Sequence, residues 1–309
     1  MKSYHWKQSA DAVNLSCMTQ PNPIEYSERA MALPGSPIRA LLSSARGELP
    51  LDLGGGIPDP VLFPRELMAN AAENLLTKHS ALVLQYAPTE GLAPLRERIA
   101  LRLMQRGCEI APDQILITHG SQHALATVAA LLTSPTRSVA LEQPVYPGAE
   151  QAFALAQAPR MHLPVTEQGW AIDAIAGRKP AAIYVIANHQ NPTGRRANRE
   201  QREQLAAFAR AVSAYVIEDD AYGELDFTET DTQIRMVSDV TAGAASSRPL
   251  IADLPERGIL LGTFSKTLCP GLRVGWIAAP RPLIEPLVRM LQASSLQPGT
   301  FAQHLALGV

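Results

Sequence analysis

Short apolar runs alternate along this chain with longer stretches in which apolar residues recur every three to four positions. Six runs, at residues 115–118, 138–142, 182–187, 215–218, 259–263 and 274–279, are rich in Ile, Val and Leu and are bounded by turn residues. Runs without a regular polar face read as strands buried on both sides of a parallel sheet. The stretches between them read as helices. Residues 92–106 place Leu92, Leu95, Ile99 and Leu103 on one face and arginines on the other, and 121–132 and 198–212 follow the same rule. Pro282 opens a further helix over 280–292, with Leu283, Leu287 and Met290 as its apolar stripe. Strands alternating with helices predict an α/β fold with a mostly parallel central sheet flanked by helices. Residues 1–48 hold no clear strand, and the polar stretch 226–255 reads as an excursion from the core.

Composition narrows the functional classes. The chain has 309 residues, is 46% hydrophobic and 18% charged, and carries a formal net charge of -2. Near-neutral charge removes the main electrostatic argument for nucleic acid. No run of apolar residues is long enough to predict a membrane span, and the first twenty residues lack the apolar core of a secretory signal. Cys17, Cys108 and Cys269 form no CxxC pair, which fits a reducing cytoplasm.

In open α/β sheets, ligands bind beyond the C-terminal strand ends, so the residues following each strand carry the chemistry. The first end reads Thr118-His119-Gly120-Ser121-Gln122 and enters a helix. A free helix N-terminus with Ser121 as its cap suits a phosphate, and it equally describes an ordinary capped helix. The second places Tyr146 in a proline-rich turn, where it would stack on a flat ring or simply pack. The third, Asn191-Pro192-Thr193-Gly194, is turn chemistry in which Asn191 either donates to a ligand oxygen or holds the turn. The fourth ends an apolar strand on Glu218-Asp219-Asp220, with Tyr222 following. At least one of these acids is expected to face a cation, a metal or a protonated ring nitrogen, against the plainer reading of a solvated cluster. The fifth carries Thr263, Ser265 and Lys266, with Arg273 shortly after. Of five lysines, only Lys266 sits between two strongly apolar strands. Such a lysine tends toward a lowered pKa and acts as a nucleophile toward carbonyls, while Arg273 would hold an anion through its fork of donors.

Together these segments resemble the fold-type I, pyridoxal-phosphate-dependent aminotransferases of class I/II. Ser265-Lys266-x-x-x-Pro270-Gly271-Leu272-Arg273-x-Gly275, combined in order with Asn191-Pro192-Thr193-Gly194 and Asp219-x-x-Tyr222, carries the resemblance over roughly residues 25–309. Within that family the chain looks most like the aminoadipate/kynurenine aminotransferase group, on Gly55-Gly56-Ile57-Pro58-Asp59-Pro60, Phe63-Pro64, Leu84-Gln85-Tyr86 and Glu90-Gly91. The resemblance implies that Lys266 joins pyridoxal phosphate covalently and later carries the proton from substrate Cα. Asp219 would pair with the pyridine nitrogen, Tyr222 and Asn191 would bond the ring oxygen, and Tyr146 would stack on the ring. Ser121, Gln122, Thr263 and Arg273 would hold the phosphate, with Ser265 as a further candidate. Gly56 and Asn191 would lie near the substrate. It also implies a homodimer with shared sites, in which Tyr86 reaches the neighbouring subunit's phosphate, and amino acid and 2-oxo acid substrates.

The implied layout is an N-terminal segment over 1–48 comprising a tail and part of a small domain, a cofactor-binding large domain over 49–290, and the start of an incomplete C-terminal small domain over 291–309. The family's carboxylate-binding arginine then has no counterpart, since Arg281 and Arg289 belong to the helix leaving the large domain. This leaves open a cofactor-binding remnant without turnover. Two other readings stand beside it: a decarboxylase or lyase on the same fold, and the aminotransferase-like part of a transcriptional regulator that lost its DNA-binding domain. His119 and His123 have the spacing of metal ligands on a helix, but the zinc-site glutamate is replaced by Gly120 and no metal is expected. Gly54-Gly55-Gly56 lacks the third glycine of a dinucleotide fingerprint, so NAD is not expected.

Overall fold

A computed structural model describes residues 25–33, 35, 56–225 and 248–309. Most of the N-terminal segment and of the polar stretch 226–255 therefore lies outside the described residues. Among the described residues, the α-helices are α1 Glu28–Ala32, α2 Arg65–Lys78, α3 Ser80–Val83, α4 Ala93–Gln105, α5 Ser121–Leu132, α6 Pro147–Leu155, α7 Arg199–Val212, α8 Arg281–Ser295 and α9 Thr300–Gly308. The strands are β1 Ile115–Thr118, β2 Val139–Gln143, β3 Arg160–Thr166, β4 Gly169–Trp170, β5 Ala182–Val185, β6 Tyr215–Asp219, β7 Gly258–Thr263 and β8 Gly275–Ala278.

All eight strands form one sheet in the order β1-β8-β7-β6-β5-β2-β3-β4. The run β3-β2-β5-β6-β7 is parallel, as expected. β8 runs antiparallel to both β1 and β7, and β4 is antiparallel to β3, so the sheet is mixed. The expected strands are all present, within a residue or two at their ends. β3 and β4 were not expected. β3 lies near the sheet edge and is half exposed, and its sequence RMHLPVT has no continuous apolar run.

Alternate residues of each strand feed opposite layers. Leu116, Leu141, Ile217, Leu261 and Ile277 pack under α5, α6 and α8. On the other face, Ile183, Val185 and Val216 pack under α7, while Ile115, Ile117, Leu260 and Trp276 meet α4 and α9. Each fully buried Leu or Ile contributes about 1.5–3 kcal/mol relative to exposure, so two covered faces explain why the strands read as unbroken apolar runs. α7 shows local encoding clearly. Asn198 caps it by accepting from Gln201 N–H at 2.9 Å, and Gln201 returns a bond to Asn198 N–H at 2.9 Å. In α8 the buried stripe is Leu283, Leu287 and Leu291 rather than Met290.

Candidate active site

The C-terminal ends of β2, β6 and β7, the extension of β5 and the start of β8 open at one edge of the sheet. There a cavity of about 450 Å³ is lined by Ser121, Gln122, Tyr146, Asn191, Asp219, Tyr222, Thr263, Ser265, Lys266 and Arg273. Residues spread over 150 positions of sequence thus reach one space because parallel strands deliver their ends to the same side. Gly56 adjoins it, since Lys266 Nζ donates to Gly56 O at 2.8 Å. Tyr86 does not line the cavity and is 77% exposed.

Asp219 is the cavity's buried acid. Its Oδ2 accepts from Tyr184 O–H at 3.0 Å, and its Oδ1 is buried without a hydrogen-bond partner among the described residues. Burial pushes its pKa up to about 6, against the opposing pull of the Tyr184 hydrogen bond. Burial also lowers the pKa of Lys266, whose Nζ stands 5.7 Å from the centre of the Tyr222 ring. Tyr222 is raised by burial and by the Asp219 charge, while a hydrogen bond with the Asn191 side chain pulls the other way. Tyr146 is raised to about 12, chiefly by burial.

The opposite end of the cavity is rich in donors. Ser121 was expected as a helix cap, but Gly120 takes that position and Ser121 is the first residue of α5. Its hydroxyl is thereby released from capping. Gly120 has φ 79°, and a Cβ there would come 2.6 Å from Arg273 Nη2. The glycine therefore lets the guanidinium lie against the loop, where Nη2 donates to His119 O at 3.4 Å and Nη1 to Ser265 Oγ at 3.4 Å. Thr263 Oγ1 lies 2.9 Å from Ser265 Oγ, completing a hydroxyl cluster. The Gln122 side chain donates to Gly148 O at 2.8 Å, tying the α5 start to the turn after Tyr146.

The three acids ending β6 have separate tasks. Only Asp219 faces the cavity. Asp220 accepts from Arg106 at 2.5 Å and from Asn188 at 2.9 Å, both buried. Glu218 accepts from Leu250 N–H at 2.6 Å and lies 3.6 Å from Arg202, and burial raises it to about 7. The sequence reading grouped Arg106 with the arginines of the outer face, although its spacing from Ile99 and Leu103 is that of the apolar stripe. Arg106 sits at the α4 C-cap and turns inward to Asp220. The sequence reading also missed Tyr184, and Glu142 on β2, which is fully buried and raised to about 8. A single polar residue within a strand carries no periodic signal.

Other candidates lie elsewhere. His123 Nδ1 accepts from His119 N–H at 3.3 Å and its Nε2 is 3.1 Å from Ser294 Oγ. Arg281 pairs with Asp113, and Arg289 with Glu285.

The family model for aminotransferase class I and II matches residues 58–308. An aromatic-amino-acid aminotransferase of Thermococcus litoralis is 32% identical, over 91% of this chain and 66% of its own length. A 2-aminoadipate transaminase of Thermus thermophilus is 36% identical, over 92% of this chain and 69% of its own length. The crystal structure of an α-aminoadipate aminotransferase from Thermus thermophilus, complexed with N-(5′-phosphopyridoxyl)-L-leucine, matches with a TM-score of 0.78 at 34% identity, over 91% of this chain and 68% of its own. The chain thus spans about two thirds of the length of the relatives it matches.

Proposed function

The chain belongs to the class I and II aminotransferase family, and from that premise we propose that it binds pyridoxal phosphate through Lys266 and that the protein moves an amino group from an L-amino acid to a 2-oxo acid. One observation carries the reading: a buried carboxylate oxygen, Asp219 Oδ1, has no partner in a cavity it shares with Lys266 and Arg273. An uncompensated buried charge is costly, and a protonated ring nitrogen would satisfy it.

The remaining lining fits the same group. At the Gly120 loop, Arg273, Thr263, Ser265 and the α5 N-terminus offer the donors a phosphate needs, and Gly120 keeps the loop free of a side chain that would meet Arg273. Tyr146 supplies an aromatic face for the ring. When bound, pyridoxal phosphate supplies an electron-withdrawing ring that accepts the electron pair released at the substrate Cα. Asp219 would hold a proton on the ring nitrogen and so keep that ring electron-poor. Asn191 and Tyr222, already bonded to each other, are placed to donate to the ring oxygen. Lys266, its ammonium disfavoured by burial, would attach the group and then take the proton from the substrate Cα. Gly56 O, which accepts from Lys266 Nζ at 2.8 Å, orients the amine.

We further propose a homodimer, with Tyr86 serving the neighbouring subunit's phosphate. Tyr86 and Leu84, 77% and 70% exposed, are apolar surface that such an interface would cover. Among the described residues, no helix is long and apolar enough to cross a membrane. The thiols of Cys108 and Cys269 are free, and we place the protein in the reducing cytoplasm.

The test is product analysis. Protein loaded with pyridoxal phosphate and given L-amino acids should release the matching 2-oxo acid and leave pyridoxamine phosphate. Release of carbon dioxide or ammonia would assign a decarboxylase or lyase instead.

A further inference from the structure

Behind the cavity, two buried polar side chains join the turns that carry Tyr146 and Asn191. Glu142, next to last in β2, has no exposure, and Gln190, 3% exposed, lies just before Asn191. The Gln190 carboxamide is fully used. Its Nε2 donates to Glu142 Oε1 at 3.1 Å and to Pro144 O at 2.7 Å. Its Oε1 accepts from Thr193 N–H at 2.8 Å and Thr193 Oγ1 at 2.7 Å. The Gln190 backbone closes the same turn, donating to Arg195 O at 2.7 Å and accepting from Gly194 N–H at 2.5 Å. Glu142 is equally committed: Oε1 also accepts from Ile186 N–H at 3.0 Å, and Oε2 from Trp170 Nε1 at 3.2 Å. Three donors from two segments, β4 and the stretch 186–190 that follows β5, therefore converge on one buried carboxyl group.

Neither side chain lines the cavity that holds Lys266. Both line a second cavity of about 310 Å³, and Ile186 lines both cavities. The pair thus acts from behind the ring-facing residues. A buried carboxyl group is a costly way to hold a strand end that apolar packing would hold as well, so its presence calls for a specific partner set.

We propose that Glu142 and Gln190 are positioning residues for this site, clamping the Tyr146 turn to the Asn191 turn so that the aromatic face and the amide donor keep a fixed separation across the ring. The inference rests on the cofactor reading above. Asn191 donates to the ring oxygen only while its turn is held. A loosened turn leaves that oxygen with less hydrogen bonding, hence more basic, and shifts the titration of the bound chromophore upward.

The experiment uses the full chain loaded with pyridoxal phosphate, comparing wild type with Gln190→Ala. The visible band is titrated with pH, and cofactor affinity is measured by band recovery. A control, Leu132→Ala, removes core packing at the far end of α5, where Leu132 is 3% exposed. The clamp predicts that Gln190→Ala raises the titration midpoint by roughly half to one pH unit and weakens affinity roughly threefold to tenfold, the worth of one hydrogen bond. Leu132→Ala should lose stability with an unmoved midpoint. If Gln190→Ala does not fold, Gln190→Asn keeps a buried amide one methylene too short to span Glu142 and Thr193, and the same upward shift is expected. An unmoved midpoint in the Gln190 variants, or an equal shift in Leu132→Ala, overturns the clamp and leaves the cofactor reading standing. Absence of any band in wild type fails the cofactor reading and the clamp with it.

Discussion

Asp219→Asn should make the cofactor-free protein more stable at neutral pH while costing it the cofactor. The perturbation removes a buried charge and little else. Asn keeps the acceptor for Tyr184 O–H, now 3.0 Å from Oδ2. The magnitude follows from the acid's pKa, raised from 3.8 to about 6. Below pH 3.8 the group is protonated in folded and unfolded chains alike and has no effect. As pH rises from 3.8 to 6 the unfolded chain ionises first, so stability falls. Above 6 the penalty is constant, at about 3 kcal/mol. The new amide N–H₂ gives back about 1–2 kcal/mol as a buried donor without an acceptor. The net gain at pH 7.5 is therefore about 1–2 kcal/mol, and it develops between pH 4 and 6. Urea denaturation of both cofactor-free proteins across pH 4–8 measures it as the difference between two curves. Glu218, raised to about 7, contributes equally to both curves; Glu142, raised to about 8 by burial and in part by the Asp219 charge, is raised less in the variant and adds to its gain toward pH 8. Affinity for pyridoxal phosphate should meanwhile fall at least tenfold, roughly the loss of one charge-assisted hydrogen bond. A variant no more stable than wild type at pH 7.5, or a difference that does not grow between pH 4 and 6, would show that the Asp219 charge is already compensated. The reasoning from its unpartnered oxygen would then be wrong.

Two further outcomes test the scaffold around the site. Arg106→Met leaves Asp220 buried opposite an apolar side chain, with only Asn188 among the described residues still donating; it should cost about 3–5 kcal/mol in denaturant unfolding. Gly120→Ala, at φ 79° and with its Cβ 2.6 Å from Arg273 Nη2, should displace the guanidinium. Spectral titration should then show pyridoxal phosphate binding weakened roughly tenfold or more, with inorganic phosphate no longer competing well.

Legibility in the sequence followed how each feature is encoded. Strands buried on both faces were legible because burial on two sides leaves an unbroken apolar run, as in Ile115–Thr118 and Gly258–Thr263. β3 was not, because a half-exposed strand containing His162 and Pro164 has neither a run nor an alternation. The antiparallel course of β8 was not legible either, since an apolar run looks the same in both directions. Lys266, Asp219, Asn191 and Arg273 stood out because strand-end chemistry is local and ordered. Tyr184, Glu142 and Gln190 did not, because their meaning lies in partners three to forty-eight positions away. Arg106 was legible but misplaced: three positions after Leu103 and seven after Ile99 it shares the apolar face of α4, and there it meets Asp220, 114 positions later.

The central claim is attachment of pyridoxal phosphate at Lys266, and borohydride reduction tests it most directly. Reduction of the loaded protein fixes the attached group, and peptide mass mapping then locates it. The account predicts one added phosphopyridoxyl mass on the peptide containing Lys266, and none in Lys266→Ala. A mass on Lys78, Lys179 or the N-terminal lysines, or no added mass at all, would contradict it.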